Sequence, residues 1–266
     1  MPSSNSRQQL LDYIQEAISP TYRNTYIEGV CVVCRGPAPR TERCWKCNEH
    51  FDQFGHQLAD QTVLLTYAQA YHPGGYHQTV QDLLAYKGSG KVPQSRESLV
   101  RLGAVGAAAA ALHLGCIRRV LGGVDQWDVV TFVPSTRFPG FEHPVATIAA
   151  TLVAADPTEF PQWVQLLPNN MQEKHRPSLD RFVVAPGAVP TVQGAHVLVI
   201  DDTWTTGANV QSAAMALKGV GAATVTVLCL ARWLRWDYAN HAELCGTLSE
   251  PYSPTRCPVG MCSPSI

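Results

Sequence analysis

The sequence predicts an α/β fold, a parallel sheet covered by helices, with a small metal-binding module ahead of it. Three observations lead there. Apolar runs that do not alternate, at 127–133 (WDVVTFV) and 197–200 (VLVI), read as strands buried on both faces. Helix-like stretches separate them, and this alternation is what parallel neighbours require. Four cysteines near the front, Cys31, Cys34, Cys44 and Cys47, form two Cys-x2-Cys pairs.

Taken in order, residues 8–17 read as a short amphipathic helix leading into the cysteine module. The linker RGPAPRTER between the inner cysteines is polar and turn-forming. Residues 62–70 (TVLLTYAQA) are strand-like, 72–75 (HPGG) is a turn, and 79–86 is a helix ending near 87–90. A long helix over 99–121 stops at Gly122 and Gly123. It carries Arg101, His113, Arg118 and Arg119 among Ala and Gly, which fits a buried core helix and not a membrane span. Strand 127–133 runs into 134–140 (PSTRFPG), followed by a helix over 145–153 and a short strand at 182–184. Strand 197–200 then leads through a turn to helix 210–218, past Gly219 and Gly221, to strand 224–230 and ARWLRW. The natural divisions are 1–60 for the metal module, 61–236 for the α/β domain and 237–266 for a cysteine-containing tail.

Composition narrows the function. Of 266 residues only 15% are charged and the net charge is −1, so the basic footprint of a nucleic-acid binder is missing. MPSSNSRQQL has no apolar core behind a basic start, so a cytoplasmic location without a secretory signal is expected. Nine cysteines in that setting point to thiols and metal ligation, not to a disulfide framework. Four thiolates on two knuckles close a tetrahedron, the geometry of structural Zn²⁺. Loss of that metal is expected to unfold the front segment and leave the sheet on its own core. Cys245, Cys257 and Cys262, with His241 nearby, leave three readings open: a second metal site, a cover for the first, or free cysteines. Cys116 and Cys229 sit in apolar contexts and read as small hydrophobes.

The most informative segment is 197–209, VLVIDDTWTTGAN. Its apolar strand ends in two acids, and a small hydroxyl-bearing turn opens the next helix. Unpaired N–H groups and a positive helix dipole suit that turn to a phosphate. Thr205 and Thr206 add hydroxyl donors, and Gly207 lets the backbone approach an anion. Asp201 and Asp202 are placed for a sugar's vicinal hydroxyls or a divalent cation, at what reads as the strand's exposed end.

The segment resembles the phosphoribosyl-pyrophosphate (PRPP) motif of type I phosphoribosyltransferases. Asn209 stands where that family usually has a hydroxyl residue, and bulky Trp204 where it has an aliphatic one. The order of a four-cysteine knuckle, Tyr-Lys-Gly at 86–88, a Val-Pro strand exit, GFEHP at 140–144 and the PRPP motif is similar to the ComF-like phosphoribosyltransferases, over residues 30–232. Pro139 stands where those proteins carry Arg.

The resemblance implies a type I phosphoribosyltransferase fold with an N-terminal zinc module. It further implies a Mg²⁺-dependent transfer of phosphoribose to an acceptor that the sequence does not identify. Asp201 and Asp202 would engage ribose and Mg²⁺. Thr203, Thr205, Thr206, Gly207, Ala208 and Asn209 would join them in holding PRPP. Ser135, Thr136 and Arg137 would meet the pyrophosphate, Arg137 either as a catalytic charge or as an ordinary surface residue. Lys174, His175 and Arg176 read either as a mobile cover or as a solvated loop, and His143 as an acid–base group or a turn residue. The alternative is a ComF-like module that binds PRPP or a nucleotide without turnover, serving DNA uptake or regulation. Expected partners are PRPP or a nucleoside 5′-phosphate. A homodimer is left open, direct nucleic-acid contact ranks third, and no membrane partner is expected.

Overall fold

The computed structural model describes residues 4–38, 41–88, 93–121, 124–135, 142–155, 161–170 and 175–260. Eight α-helices and seven strands lie among them: α1 (Ser4–Ala17), α2 (Trp45–Phe54), β1 (Gln61–Ala70), α3 (Gln78–Ala85), α4 (Pro93–Leu121), β2 (Val129–Phe132), α5 (Pro144–Ala155), β3 (Gln162–Trp163), β4 (Leu166–Pro168), β5 (Phe182–Val184), α6 (Val189–Val192), β6 (His196–Trp204), α7 (Ala208–Gly219), β7 (Thr224–Arg235) and α8 (Ala239–Thr247).

Five strands form one sheet in the order β1-β7-β6-β2-β3, with every neighbour parallel. The chain leaves β2 through α5 towards β3 on one side. It leaves β6 through α7 towards β7 on the other. The order therefore reverses between β2 and β6, the place where open parallel sheets form a ligand crevice beyond their carboxyl ends. Val133 N–H donates to the Ile200 carbonyl at 3.1 Å and holds the two strand exits side by side.

Strand β6 runs to Trp204, well past the apolar run that announces it. Asp201, Thr203 and Trp204 stay in register with Cys229, Ala231 and Arg232 of β7, so the acids belong to the strand. Alternate residues of β6 feed two cores. Leu198 and Ile200 join a core with α4 and α5, while Val197 and Val199 join one with α7. Residues 182–184 are a strand as expected, but β5 pairs antiparallel with β4 in a separate two-stranded sheet.

Helix α4 begins at Pro93, six residues ahead of the apolar pattern. Proline suits a first helical position, where no N–H partner is needed. It is long and apolar enough to cross a membrane by length and composition, yet 72% of its apolar window is buried inside the protein.

Residues 1–60 share both cores. Ile14, Ile18 and Tyr22 pack into the α4 side, and Cys31, Cys34, Ala38 and Cys47 into the α7 side. The α7-side core is thus common to sheet and cysteine module, which corrects the expectation that the sheet stands on a core of its own.

A second correction concerns Cys116, which is disulfide-bonded, where the sequence suggests a reduced small hydrophobe. Chain return over a helix is long-range information that composition does not carry. Cys229 is buried in an apolar core, as expected.

Candidate functional site

At the head of β6 the chain makes one tight turn, residues 205–207, before α7 begins. Gly207 adopts φ +83°, a left-handed conformation, as the residue capping α7. Beneath it lies the Trp204 indole, 1% exposed. A Cβ at position 207 would come within 2.4 Å of Trp204 Cζ2, so glycine is required twice, for backbone conformation and for space. Trp204 thus underpins the turn from below.

The turn and the first residues of α7 enclose a pocket of about 220 Å³ lined by Asp201, Thr203, Thr205, Thr206, Gly207, Ala208, Asn209 and Val210, with His175 at its edge. The first N–H groups of α7 have no carbonyl within the helix to bond, and the helix dipole places about half a positive charge there. Thr206 Oγ1 accepts the Ala208 N–H at 3.3 Å and thereby fixes its rotamer beside the pocket.

Asn209 is held by a residue the sequence did not single out. Arg181, 2% exposed, donates from Nη1 to Asn209 Oδ1 at 2.9 Å and from Nη2 to the Arg176 carbonyl at 3.0 Å. A guanidinium only donates, so the amide oxygen must face Arg181 and the NH₂ group is left to face elsewhere. This explains the departure from a hydroxyl residue: Asn209 serves a buried cation and keeps a donor.

Asp201 and Asp202 are 8% and 5% exposed, which corrects their reading as solvent-exposed strand-end groups. Asp202 Oδ2 accepts a hydrogen bond from Tyr86 Oη at 2.5 Å and an ion pair from Lys87 Nζ at 2.6 Å. Asp201 Oδ1 accepts the Asp202 N–H at 2.9 Å. Burial, and then the charge on Asp202, push the Asp201 carboxyl well above the usual carboxylate range. Burial acts on Asp202 in the same direction, but the Lys87 charge and hydrogen bonds from Lys87 and Tyr86 outweigh it and hold that carboxyl low. Within the pair, negative charge is therefore held more readily on Asp202 than on Asp201.

His143 is buried nearby, 6% exposed, and burial lowers its pKa, with the Asp202 charge opposing. Its Nδ1 accepts the Val145 N–H at 3.1 Å, so a neutral ring carries its proton on Nε2. Ser135 follows β2, half-buried, at the facing strand exit. Thr136, Arg137 and Lys174 lie outside the described residues, as do Pro139, Gly140 and Phe141. His175 lines the pocket at the head of α7, whereas Arg176 pairs with Glu49 of α2 at 3.2 Å.

The four cysteines converge as their spacing requires, with all ligand atoms within 4.8 Å of one another. Cys44 caps α2, Cys47 sits in its first turn, and the Cys34 N–H donates to Cys31 Sγ at 3.5 Å. Cys34 and Cys44 sulfurs are 3.6 Å apart. A tetrahedral ion with bonds near 2.3 Å needs an edge of about 3.8 Å, so the set fits structural zinc.

Arg232, 5% exposed, ties this cluster to the turn. Its Nη1 donates to the carbonyls of Trp204 at 3.2 Å, Thr205 at 2.8 Å and Trp233 at 2.6 Å. A Cβ on Gly36, two residues past Cys34, would lie 2.9 Å from Arg232 Nη2. A larger cleft of about 760 Å³ runs from Thr205 and Thr206 across Arg232 to Trp45, Lys46 and Tyr238. The cysteine module therefore forms one wall of the space beside the 205–207 turn.

No family model matches the chain, and no curated protein matches it. Among solved structures, the chain is similar to one described as the allosteric regulatory enzyme of purine biosynthesis. Identity there is 21%, over 47% of this chain and 26% of that one, with a TM-score of 0.29. A likeness so partial leaves the functional reading to the residues of the site.

Proposed function

We propose that this protein binds PRPP at the head of β6 and acts as a ComF-like phosphoribosyltransferase. The observation that carries the reading is the pocket at the sheet's switch point, where a helix N-terminus, threonine hydroxyls and buried Asp201 meet, with Asp202 next along the strand. Its volume, about 220 Å³, is below the roughly 300–1,000 Å³ of whole-ligand sites and suits a phosphate with part of its sugar.

In this reading Thr205, Thr206, Gly207, Ala208 and Asn209 hold the 5′-phosphate. Asp202, kept ionised by Lys87 and Tyr86, accepts from a ribose hydroxyl. Asp201, beside it in the sequence, would meet a second ribose hydroxyl or the cation. Mg²⁺ held at the acid pair would neutralise charge on the departing pyrophosphate. Lys87 would then have a second partner, the pyrophosphate itself, joined by Ser135 at the exit of β2. The adjoining 760 Å³ cleft has room for an acceptor.

A second reading, PRPP or nucleotide binding without turnover, draws on the Lys87–Asp202 pair. An ion pair already closed on the acid competes with a metal there. Calorimetric titration with PRPP and Mg²⁺ tests both readings, and pyrophosphate release with a panel of nitrogenous acceptors separates them. No binding at millimolar PRPP would remove both.

A further inference from the structure

A second group of ligating side chains lies on the far end of α4. His113 and Cys116 are three residues apart and so share one face of the helix. The C-terminal tail crosses that face and delivers Cys257. The ligand atoms of the three residues lie within 4.8 Å of one another, and all three are buried, at 2%, 4% and 5% exposure.

The histidine's orientation is an independent sign. Its Nε2 is 2.8 Å from the Pro254 carbonyl. A carbonyl only accepts, so Nε2 carries the hydrogen and the lone pair of the neutral ring is on Nδ1. Metal-bound histidines are characteristically fixed in this way, by a carbonyl on the other ring nitrogen. One imidazole and two thiolates favour zinc over hard, oxygen-seeking cations.

The tail gives such an ion something to do. No helix or strand is found among residues 248–260. The segment is held by Tyr252, whose N–H reaches the Ser19 and Tyr22 carbonyls at 3.1 Å, and by paired bonds between Asn24 and Ser253. We propose that His113, Cys116 and Cys257 form a second zinc site in the reduced chain, and that the bound ion fastens the tail to α4.

Cys116 is disulfide-bonded in this structure, and a disulfide sulfur is a poor ligand, so the site opens by reduction. A dithiol reductant suffices. Its first thiolate attacks the disulfide and its second closes a disulfide within the reductant, leaving two protein thiols that carry the reductant's protons. Zinc then displaces protons from Cys116 and Cys257.

The test is metal content of the full chain, reduced with a phosphine and desalted without chelator. Reduced wild type should hold one zinc more than Cys257→Ser, and one more than the oxidised wild type. Cys245→Ser should match wild type, because Cys245 packs elsewhere, with Tyr67 and Leu234. Equal zinc in reduced wild type and Cys257→Ser overturns the proposal. Cobalt titration of the reduced, metal-free wild type needs no variant. A second equivalent with a ligand-field band distinct from that of a four-thiolate site is expected, and a single equivalent of four-thiolate character overturns it.

Discussion

Gly207→Ala puts the architecture of the 205–207 turn under direct strain. At φ +83° an alanine pays the left-handed penalty, roughly 1–2 kcal/mol. Its Cβ would also lie 2.4 Å from Trp204 Cζ2 and 2.7 Å from Cε2, and the indole, 1% exposed, has no solvent side to move into. Overpacking of that kind costs about 1–3 kcal/mol. The sum is about 2–5 kcal/mol, read as a lower urea midpoint with unchanged slope. The two contributions separate in a double-mutant cycle. With Trp204→Leu as background the clash is gone, and Gly207→Ala should cost only the backbone part, about 1–2 kcal/mol. Equal costs in both backgrounds would refute the packing of Trp204 beneath the turn. A cost below about 0.5 kcal/mol in the wild-type background would refute the left-handed conformation as well.

Asp201→Asn should stabilise the protein increasingly as pH rises. A carboxyl with a raised native pKa contributes stability that is complete below its unfolded value, about 3.9, and is lost as pH climbs. Thermal midpoints of variant and wild type should therefore coincide near pH 4 and separate by pH 8, and a constant difference contradicts the assignment. Asn209→Ser removes the acceptor for Arg181 and should destabilise by about 1–3 kcal/mol in urea, the scale of a buried donor left unmet; no change would mean that the bond is not made. Zinc removal by a chelator should lower the thermal midpoint in a single transition, because Cys31, Cys34 and Cys47 belong to the core that also holds Val197 and Val199. Two separate transitions would show that the module unfolds alone.

The segment 197–209 was legible because its signals are local: an apolar run, two acids, a Thr-Gly and a helix in unbroken succession. The knuckle was legible for the same reason, since each cysteine pair lies within one turn of chain. What escaped notice is set by distance along the chain. Tyr86 meets Asp202 across 116 residues, and nothing near either residue announces the other. The acids looked solvent-exposed because the apolar run stops at Ile200, but β7 continues beside them to Arg235 and buries them. Helix α2, WKCNEHFDQF, passed unnoticed because its residues are mostly polar and its one cysteine, Cys47, with the capping Cys44, suggested knuckle geometry alone. Nothing in the sequence singles out Arg181 or Arg232. Each becomes a structural donor only once the sheet brings backbone carbonyls and Asn209 around it.

Calorimetric titration of the full chain with PRPP at fixed Mg²⁺ concentrations addresses the functional claim most directly. The account predicts Mg²⁺-dependent binding that Asp202→Asn weakens by about 1–3 kcal/mol, roughly 5- to 150-fold, in a protein that remains folded. Thr206→Val should weaken PRPP and ribose 5-phosphate alike, since it acts through the phosphate, whereas Asp202→Asn should penalise PRPP more. Absence of binding at millimolar PRPP, or unchanged affinity in both folded variants, would contradict the assignment of residues 197–209 to a phosphoribosyl ligand.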